Sequence, residues 1–378
     1  MTKARRLLTI GHSYVVTENR RLAHEIGVQG RGRWEVTAIA PRRYHGDLGP
    51  IDAREADGEA LELRTLPMRL GRSPHLMRYG GLRPAMTGSW DVIHAWEEPY
   101  VAAGAQIAAA APKSARLVFA TFQNIAKDYP WPLSSFERRS MARANAWIAF
   151  GELVRRTLAS RTGYRDKPAR VITPGVDVDL FRPDPDAAAA TRRQLGWSES
   201  SPVIGFLGRF EPQKGVELLC EALAGMAAPW HALFVGGGTL EAFLRAFEAR
   251  HPSRVRVVTG VAHADVPRWL NAMSVLAAPS QTTPGWKEQF GRMLVEAMAC
   301  GVPVAASDSG EIPFVIGDAG VVVSASDPEA WTSALSALLD DAGRRGEYAG
   351  RGLARARERF AWPVIARAHL DCFEEVLA

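Results

Sequence analysis

Three cysteines, Cys220, Cys300 and Cys372, are all that the 378 residues contain. Odd in number and far apart, they provide neither a disulfide framework nor a CxxC metal pattern. Long apolar runs are also missing, since no stretch approaches the ~18 residues needed to span a bilayer. The opening MTKARRLLTIGHSY is basic, but its apolar stretch stops at Gly11, His12 and Ser13, too early for the core of a signal peptide. The expected location is therefore the cytoplasm. No GxGxxG follows a predicted strand, which argues against dinucleotide redox chemistry, and no Walker lysine motif is present. No His/Cys ligand cluster exists, so no metal site is expected. Asp177-Val178-Asp179 has the DxD form but falls in a connector, where folded metal chemistry is not expected.

What is present fits a soluble globular protein: 47% hydrophobic and 23% charged residues. The length suits two domains of roughly 150–200 residues each. The net charge of +5 is unevenly spread. Residues 1–170 carry 27 Lys/Arg against 16 Asp/Glu, or +11, leaving 19 against 25, or −6, for the remainder. A basic half suits an anionic partner, such as a phosphate-bearing acceptor or a membrane surface reached from the cytoplasmic side. A solvated Arg-rich surface is the plainer alternative. Nucleic acid is not expected, because the basic residues are scattered and no binding motif accompanies them.

Short apolar runs alternate with helical periodicity along the chain. Residues 6–11, 34–40, 91–95, 116–121 and 146–150 read as buried strands, with helices over 18–26, 101–110 and 136–144 between them. A Pro/Gly/Asp-dense stretch over 166–186 reads as a linker. The pattern then restarts with strands over 203–207, 232–235, 255–258, 275–278 and 302–305. Alternation of this kind predicts parallel sheets covered by helices, hence an α/β fold of two Rossmann-like domains. An amphipathic helix closes the chain over 362–377.

Two segments carry chemistry. GRFEPQKG starts at Gly208, after a strand and before a helix. It places Arg209, a bidentate fork, and Lys214, a mobile point charge, where phosphates are commonly held. EQFGRMLVE places Glu288 on a loop and Glu296 in the first turns of a helix. The backbone N–H groups of Gly291 to Leu294 form the helix start, and carboxylates suit pairs of sugar or ribose hydroxyls.

These segments, with FVGGGTLE and the run from PSQTTPGWKEQFGRMLVE to EIPFVIGDAG, resemble the C-terminal domain of family-4 retaining glycosyltransferases, and TPGVDVDLFRPD resembles their linker. The resemblance implies the GT-B fold: two Rossmann-like domains facing a cleft, with a final helix crossing back to the first. On that reading residues 1–168 bind the acceptor, 169–355 bind the nucleotide sugar, and 356–378 return to the N-terminal domain. The implied activity is that of a retaining, metal-independent hexosyltransferase with no cofactor beyond its nucleotide-sugar co-substrate, expected to be a UDP-sugar. The implied acceptor is a sugar, a lipid-linked sugar or a small molecule. Arg209 and Lys214 would contact the donor diphosphate and Glu288 the transferred sugar. Phe290, Gly291, Arg292, Met293 and Leu294 would supply amides, and Glu296 would hold the ribose.

The first half departs from the family pattern. Gly11 is the one glycine in what is usually a Gly-rich acceptor loop. Trp96 replaces the second histidine of the HAWEEP pattern, and Gln123 stands where the family commonly has a histidine near the reaction centre. An amide is no general base, but it can hydrogen-bond a sugar hydroxyl. Gly11, His12, His94, Glu98 and Gln123 are the expected acceptor residues, with Gln123 joining Glu288, Arg209 and Lys214 in catalysis. Glu97 is weighed as a further acceptor ligand, and Trp96, Trp131 and Trp286 as stacking platforms. Rival readings are a glycosyl phosphorylase, a sugar-nucleotide epimerase, or a catalytically silent nucleotide-sugar-binding protein.

Overall fold

A strand whose every residue is apolar must bury both faces, which a parallel sheet flanked by helices does. The computed structural model describes all residues except 1, 2, 47, 48 and 228. It divides into two compact units, Met1–Gly175 with Trp362–Ala378, and Val176–Ala361. The divisions fall later in the chain than 168/169 and 355/356.

The first unit is built on seven strands: β1 (Arg5–Ile10), β2 (Trp34–Pro41), β3 (Glu62–Leu66), β4 (Val92–Ala95), β5 (Arg116–Thr121), β6 (Ala146–Ala149) and β7 (Ala169–Val171). They are ordered β7-β6-β5-β4-β1-β2-β3, and every pairing is parallel. Central β4 and β6 are buried at every position, whereas every residue of edge strands β3 and β7 is half-buried or exposed. The stretch over 166–186 is thus not wholly linker, because β7 lies inside it. The first helix runs Arg21–Gln29 and not 18–26, since Thr17–Arg20 forms a separate tight turn. Buried Arg20 anchors that turn, donating to the Tyr14 carbonyl at 2.8 Å and pairing with Glu59 at 3.0 Å. The closing helix Trp362–Leu377 sits in this unit. Its Ile365, Ala366, Leu370 and Phe373 share a buried cluster with Leu22, Ala23 and Ile26 of the first helix.

The second unit holds β8 (Val203–Arg209), β9 (His231–Gly237), β10 (Val255–Thr259), β11 (Val275–Ala278), β12 (Val304–Ser307) and β13 (Gly320–Val323). The order is β10-β9-β8-β11-β12-β13, again parallel throughout. β12 starts at Val304 and not at 302, after Pro303, whose ring nitrogen has no N–H to give a ladder.

Candidate functional sites

In the second unit the chain builds outward from β8 through β9 to β10, then returns to the other side of β8 with β11. The carboxyl ends of β8 and β11 therefore flank the topological switch point, where open α/β sheets bind ligands. Arg209 is the last residue of β8 and is exposed. Lys214 ends the short turn that follows, just before the helix Val216–Ala224. Gly215 between them needs its hydrogen. It has φ +71°, and a Cβ there would lie 2.0 Å from the Pro279 carbonyl at the end of β11. This close approach brings Lys214 to Glu288, with Nζ 2.6 Å from Oε2. Ser280 Oγ donates to the same oxygen at 2.8 Å, and Lys214 Nζ stands 4.9 Å from the Trp286 ring centre. Glu288 is 6% exposed.

As the spacing predicts, Glu288 lies on a loop and Glu296 within the helix Arg292–Ala299. Phe290 is buried, and Gly291 caps the helix at φ +78°. The amides of Gly291, Arg292 and Met293 lie where a helix has no intrahelical acceptor, and Leu294 N donates back to the Gly291 carbonyl at 2.9 Å. Glu296 is buried, with Oε1 3.1 Å from His263 Nε2. His263, in the turn after β10, escaped the sequence reading. Its only signal was a lone histidine following a strand.

The first unit has its own switch point between β1 and β4. Gly11 follows β1 and lies against Trp96, whose Cβ a side chain there would meet at 3.1 Å. His12 donates its backbone N–H to Glu97 Oε1 at 2.7 Å, and its Nδ1 lies 2.8 Å from Oε2. Tyr79 donates to Glu97 Oε1 at 2.6 Å. His94, expected among the acceptor residues, is instead fully buried, with Nδ1 3.1 Å from Thr9 Oγ1 and its ring 5.5 Å from those of His369 and Phe373. Burial, with the neighbouring His369, holds its pKa well below the usual imidazole range. His94 is therefore a neutral core residue and not an acceptor ligand.

Glu98 is turned inward as well. Its carboxylate accepts from Thr121 Oγ1 at 2.6 Å and from Phe122 N at 2.7 Å, fixing the loop after β5. Gln123, on that loop, donates its amide to the Ile125 carbonyl at 2.6 Å. Burial outweighs the two hydrogen bonds on Glu98 and raises its pKa to about 7, with the fields of Glu97 and Glu137 adding to the rise. Between the ordinary carboxylate pKa and about pH 7, the folded chain keeps a proton that the unfolded chain has released. Stability contributed by Glu98 therefore falls as pH rises through that window. Relative to the parent, Glu98→Gln should gain on the order of 1–3 kcal/mol on going from pH 5 to pH 8. Urea unfolding at both pH values checks this, and a difference that does not change with pH refutes it.

Among the described residues, no group of three or more His, Cys, Asp or Glu is placed to hold a metal ion. No described helix is long and apolar enough to cross a membrane.

Comparison with known proteins places this geometry. Residues 201–341 match the family described as glycosyl transferases group 1, and residues 20–180 match glycosyltransferase family 4. A D-inositol 3-phosphate glycosyltransferase of Xylanimonas cellulosilytica is 36% identical over 219 residues, covering 54% of this chain and 51% of that protein. The lipopolysaccharide core mannosyltransferase LpsB of Rhizobium meliloti is 30% identical over 262 residues, covering 64% of this chain and 72% of LpsB. Of several other relatives, the chain spans about half the length. The crystal structure of Anabaena HepE in complex with UDP superposes with a TM-score of 0.75 at 20% identity, covering 98% of this chain and all of HepE. Sucrose-phosphate synthase of Thermosynechococcus elongatus gives 0.75 at 20%, covering 98% of this chain and 99% of the other. With two doubly wound units of the GT-B type and both halves matched, the chain belongs to the family-4 glycosyltransferases, group 1.

Proposed function

We propose that the chain is a retaining hexosyltransferase. Its second unit binds a nucleotide sugar, with UDP-sugars the preferred donors, and its first unit binds the acceptor. The observation that carries this reading is the Arg209–Lys214–Glu288 arrangement at the switch point of the second unit. Arg209 and Lys214 would neutralise the departing diphosphate, so that no metal or other cofactor is required. The bond from the anomeric carbon to the diphosphate breaks as the acceptor oxygen bonds to that carbon on the same face, and the leaving phosphate oxygen takes the acceptor's proton. The protein then acts chiefly by positioning. Glu288, held by Ser280 and Lys214, faces the transferred sugar, and Glu296 holds the ribose. HepE was crystallised with UDP, and with UDP and glucose, which supports a uridine donor.

For the acceptor, the inositol phosphate and acylated phosphatidylinositol mannoside substrates named for relatives suit the basic first half. The first unit carries a cleft of about 660 Å³ lined by Arg42, Arg43, Arg72, Leu70 and Leu76, a lining fit for a phosphate with apolar surroundings. A phosphorylated or lipid-linked polyol is therefore the acceptor class, used by a cytoplasmic protein that associates peripherally with the membrane.

The test is a split between two carboxylates. Glu296→Ala should weaken UDP binding by about 1.5 kcal/mol or more, and 2′-deoxy-UDP should bind the parent correspondingly less well. Glu288→Ala should spare UDP binding and abolish most turnover. Equal affinity of the parent for UDP and 2′-deoxy-UDP in a calorimetric titration would remove the ribose role. Transfer should also persist in EDTA, and loss reversed by magnesium or manganese would restore a metal to the mechanism.

A further inference from the structure

The Glu97 carboxylate is 3% exposed and takes three donors: the His12 amide at 2.7 Å, His12 Nδ1 at 2.8 Å and Tyr79 Oη at 2.6 Å. With its oxygens so occupied, Glu97 acts on a ligand only through the imidazole. A carboxylate only accepts, so Nδ1 carries the proton, and the neutral ring keeps its lone pair on Nε2. Among the described residues nothing hydrogen-bonds Nε2, and the His12 side chain is 32% exposed. The ring is steadied by Tyr44, centre to centre 5.1 Å. His12 follows β1 and Glu97 follows β4, at the switch point of the first unit.

We propose that His12 is the receptor for an acceptor hydroxyl other than the one that reacts, its Nε2 taking the hydrogen bond while Glu97 and Tyr79 hold the ring in the tautomer that permits it. The inference rests on the acceptor role given above to the first unit, and names the group and protonation state within it. Glu97 and Tyr79 are positioning residues. Protonated His12 has no lone pair to offer, so acceptor use declines as pH falls through its pKa. Burial pulls that pKa down, but the attraction and hydrogen bond of Glu97, with the field of Glu98, overcome it and leave the net shift upward. The titratable groups around the ring are Glu97 and Glu98 after β4, Tyr79, Tyr44 and Tyr14.

The experiment uses the full chain. Nitrogen-15 histidine NMR reads the tautomer and pKa of His12. Transfer is assayed from UDP-glucose and GDP-mannose to myo-inositol, 1D-myo-inositol 3-phosphate, methyl α-mannoside and methyl β-glucoside. The parent should show His12 protonated on Nδ1 at pH 8, and an acidic limb in kcat/KM for the acceptor at the same pKa. Glu97→Gln should move both to lower pH together. His12→Ala should raise acceptor KM about tenfold or more and remove the limb, with UDP affinity within twofold of the parent. His12→Gln, whose amide oxygen also accepts, should recover part of the loss. An Nε2–H tautomer, a pKa indifferent to Glu97→Gln, or His12→Ala transfer within twofold of the parent would overturn the assignment. If the parent transfers to no member of the panel, the glycosyl-transfer reading itself fails, a result distinct from any of these.

Discussion

Replacing Lys214 with alanine should lower transfer by about 10³-fold or more, well beyond the effect of Arg209→Ala at the same diphosphate. The two cations differ in setting. Arg209 is exposed at the end of β8, so its loss removes one charged hydrogen-bonding fork, or roughly 1.5–3 kcal/mol of diphosphate affinity. Lys214 has a side chain only 15% exposed and is bonded to a Glu288 side chain that is 8% exposed. Truncating it would remove the phosphate contact proposed for it and would also deprive a buried carboxylate of its ammonium. Breaking such a pair from one side typically destabilises by about 3–5 kcal/mol, so Lys214→Ala should lower Tm while Arg209→Ala leaves it nearly unchanged. Adding Glu288→Gln to Lys214→Ala should recover much of the Tm and none of the turnover. Both variants should bind uridine about as well as the parent. Lys214→Ala retaining more than about a tenth of the parental rate, or equal loss of uridine and UDP affinity, would remove Lys214 from the diphosphate.

Each of the two donor-side segments was legible in sequence because each is local: Arg209 and Lys214 lie five residues apart and Glu288 and Glu296 eight apart, so a strand–loop–helix reading places each pair. The contact of Lys214 with Glu288 spans 74 residues, and only the family resemblance set the two segments side by side. The central strands were legible for a similar reason: β5 and β11 are buried along nearly their whole length and appear as unbroken apolar runs. No residue of edge strands β3 and β7 is fully buried, and their mixed composition hid them. The acceptor half depends on contacts far apart in the chain. Glu97 meets His12 across 85 residues and Tyr79 across 18, and no periodicity announces a three-donor carboxylate. In the sequence His12 and His94 stand alike, each at or just after the end of an apolar strand. Side chains alternate along a strand, yet on a central strand both faces are covered, so position near the end says nothing about access. Here His369 from the closing helix covers His94, a contact 275 residues distant that no motif conveys.

Gly310→Ala should reduce transfer at least about 10²-fold while leaving UDP affinity within threefold of the parent. Gly310 has φ +60°, a region that costs most side chains about 1–2 kcal/mol. The larger obstacle is space, because a Cβ at Gly310 would lie 2.0 Å from the Glu288 carbonyl oxygen and 2.8 Å from its nitrogen. Both contacts are backbone, so the Glu288 segment itself must shift. That segment is otherwise tied down from the same side: Glu311 N donates to the Glu288 carbonyl at 3.0 Å, and Ser307 Oγ to the Ser280 carbonyl at 2.5 Å. A displacement of about an ångström would separate Glu288 from Ser280 and Lys214, and a misplacement of that size is enough for a hundredfold loss. UDP binding should survive because the groups proposed to hold it, Arg209 and Glu296, sit on β8 and on the helix Arg292–Ala299, whereas the atoms nearest a Gly310 Cβ belong to Glu288. Gly285→Ala is the matched control on the Glu288 loop, since a Cβ there meets nothing within 4 Å. The two variants should separate by two orders of magnitude in kcat with similar UDP thermal shifts. If Gly310→Ala matched Gly285→Ala within twofold, the position of Glu288 would not govern turnover, and the sugar-facing role assigned to that carboxylate would have to pass to another group.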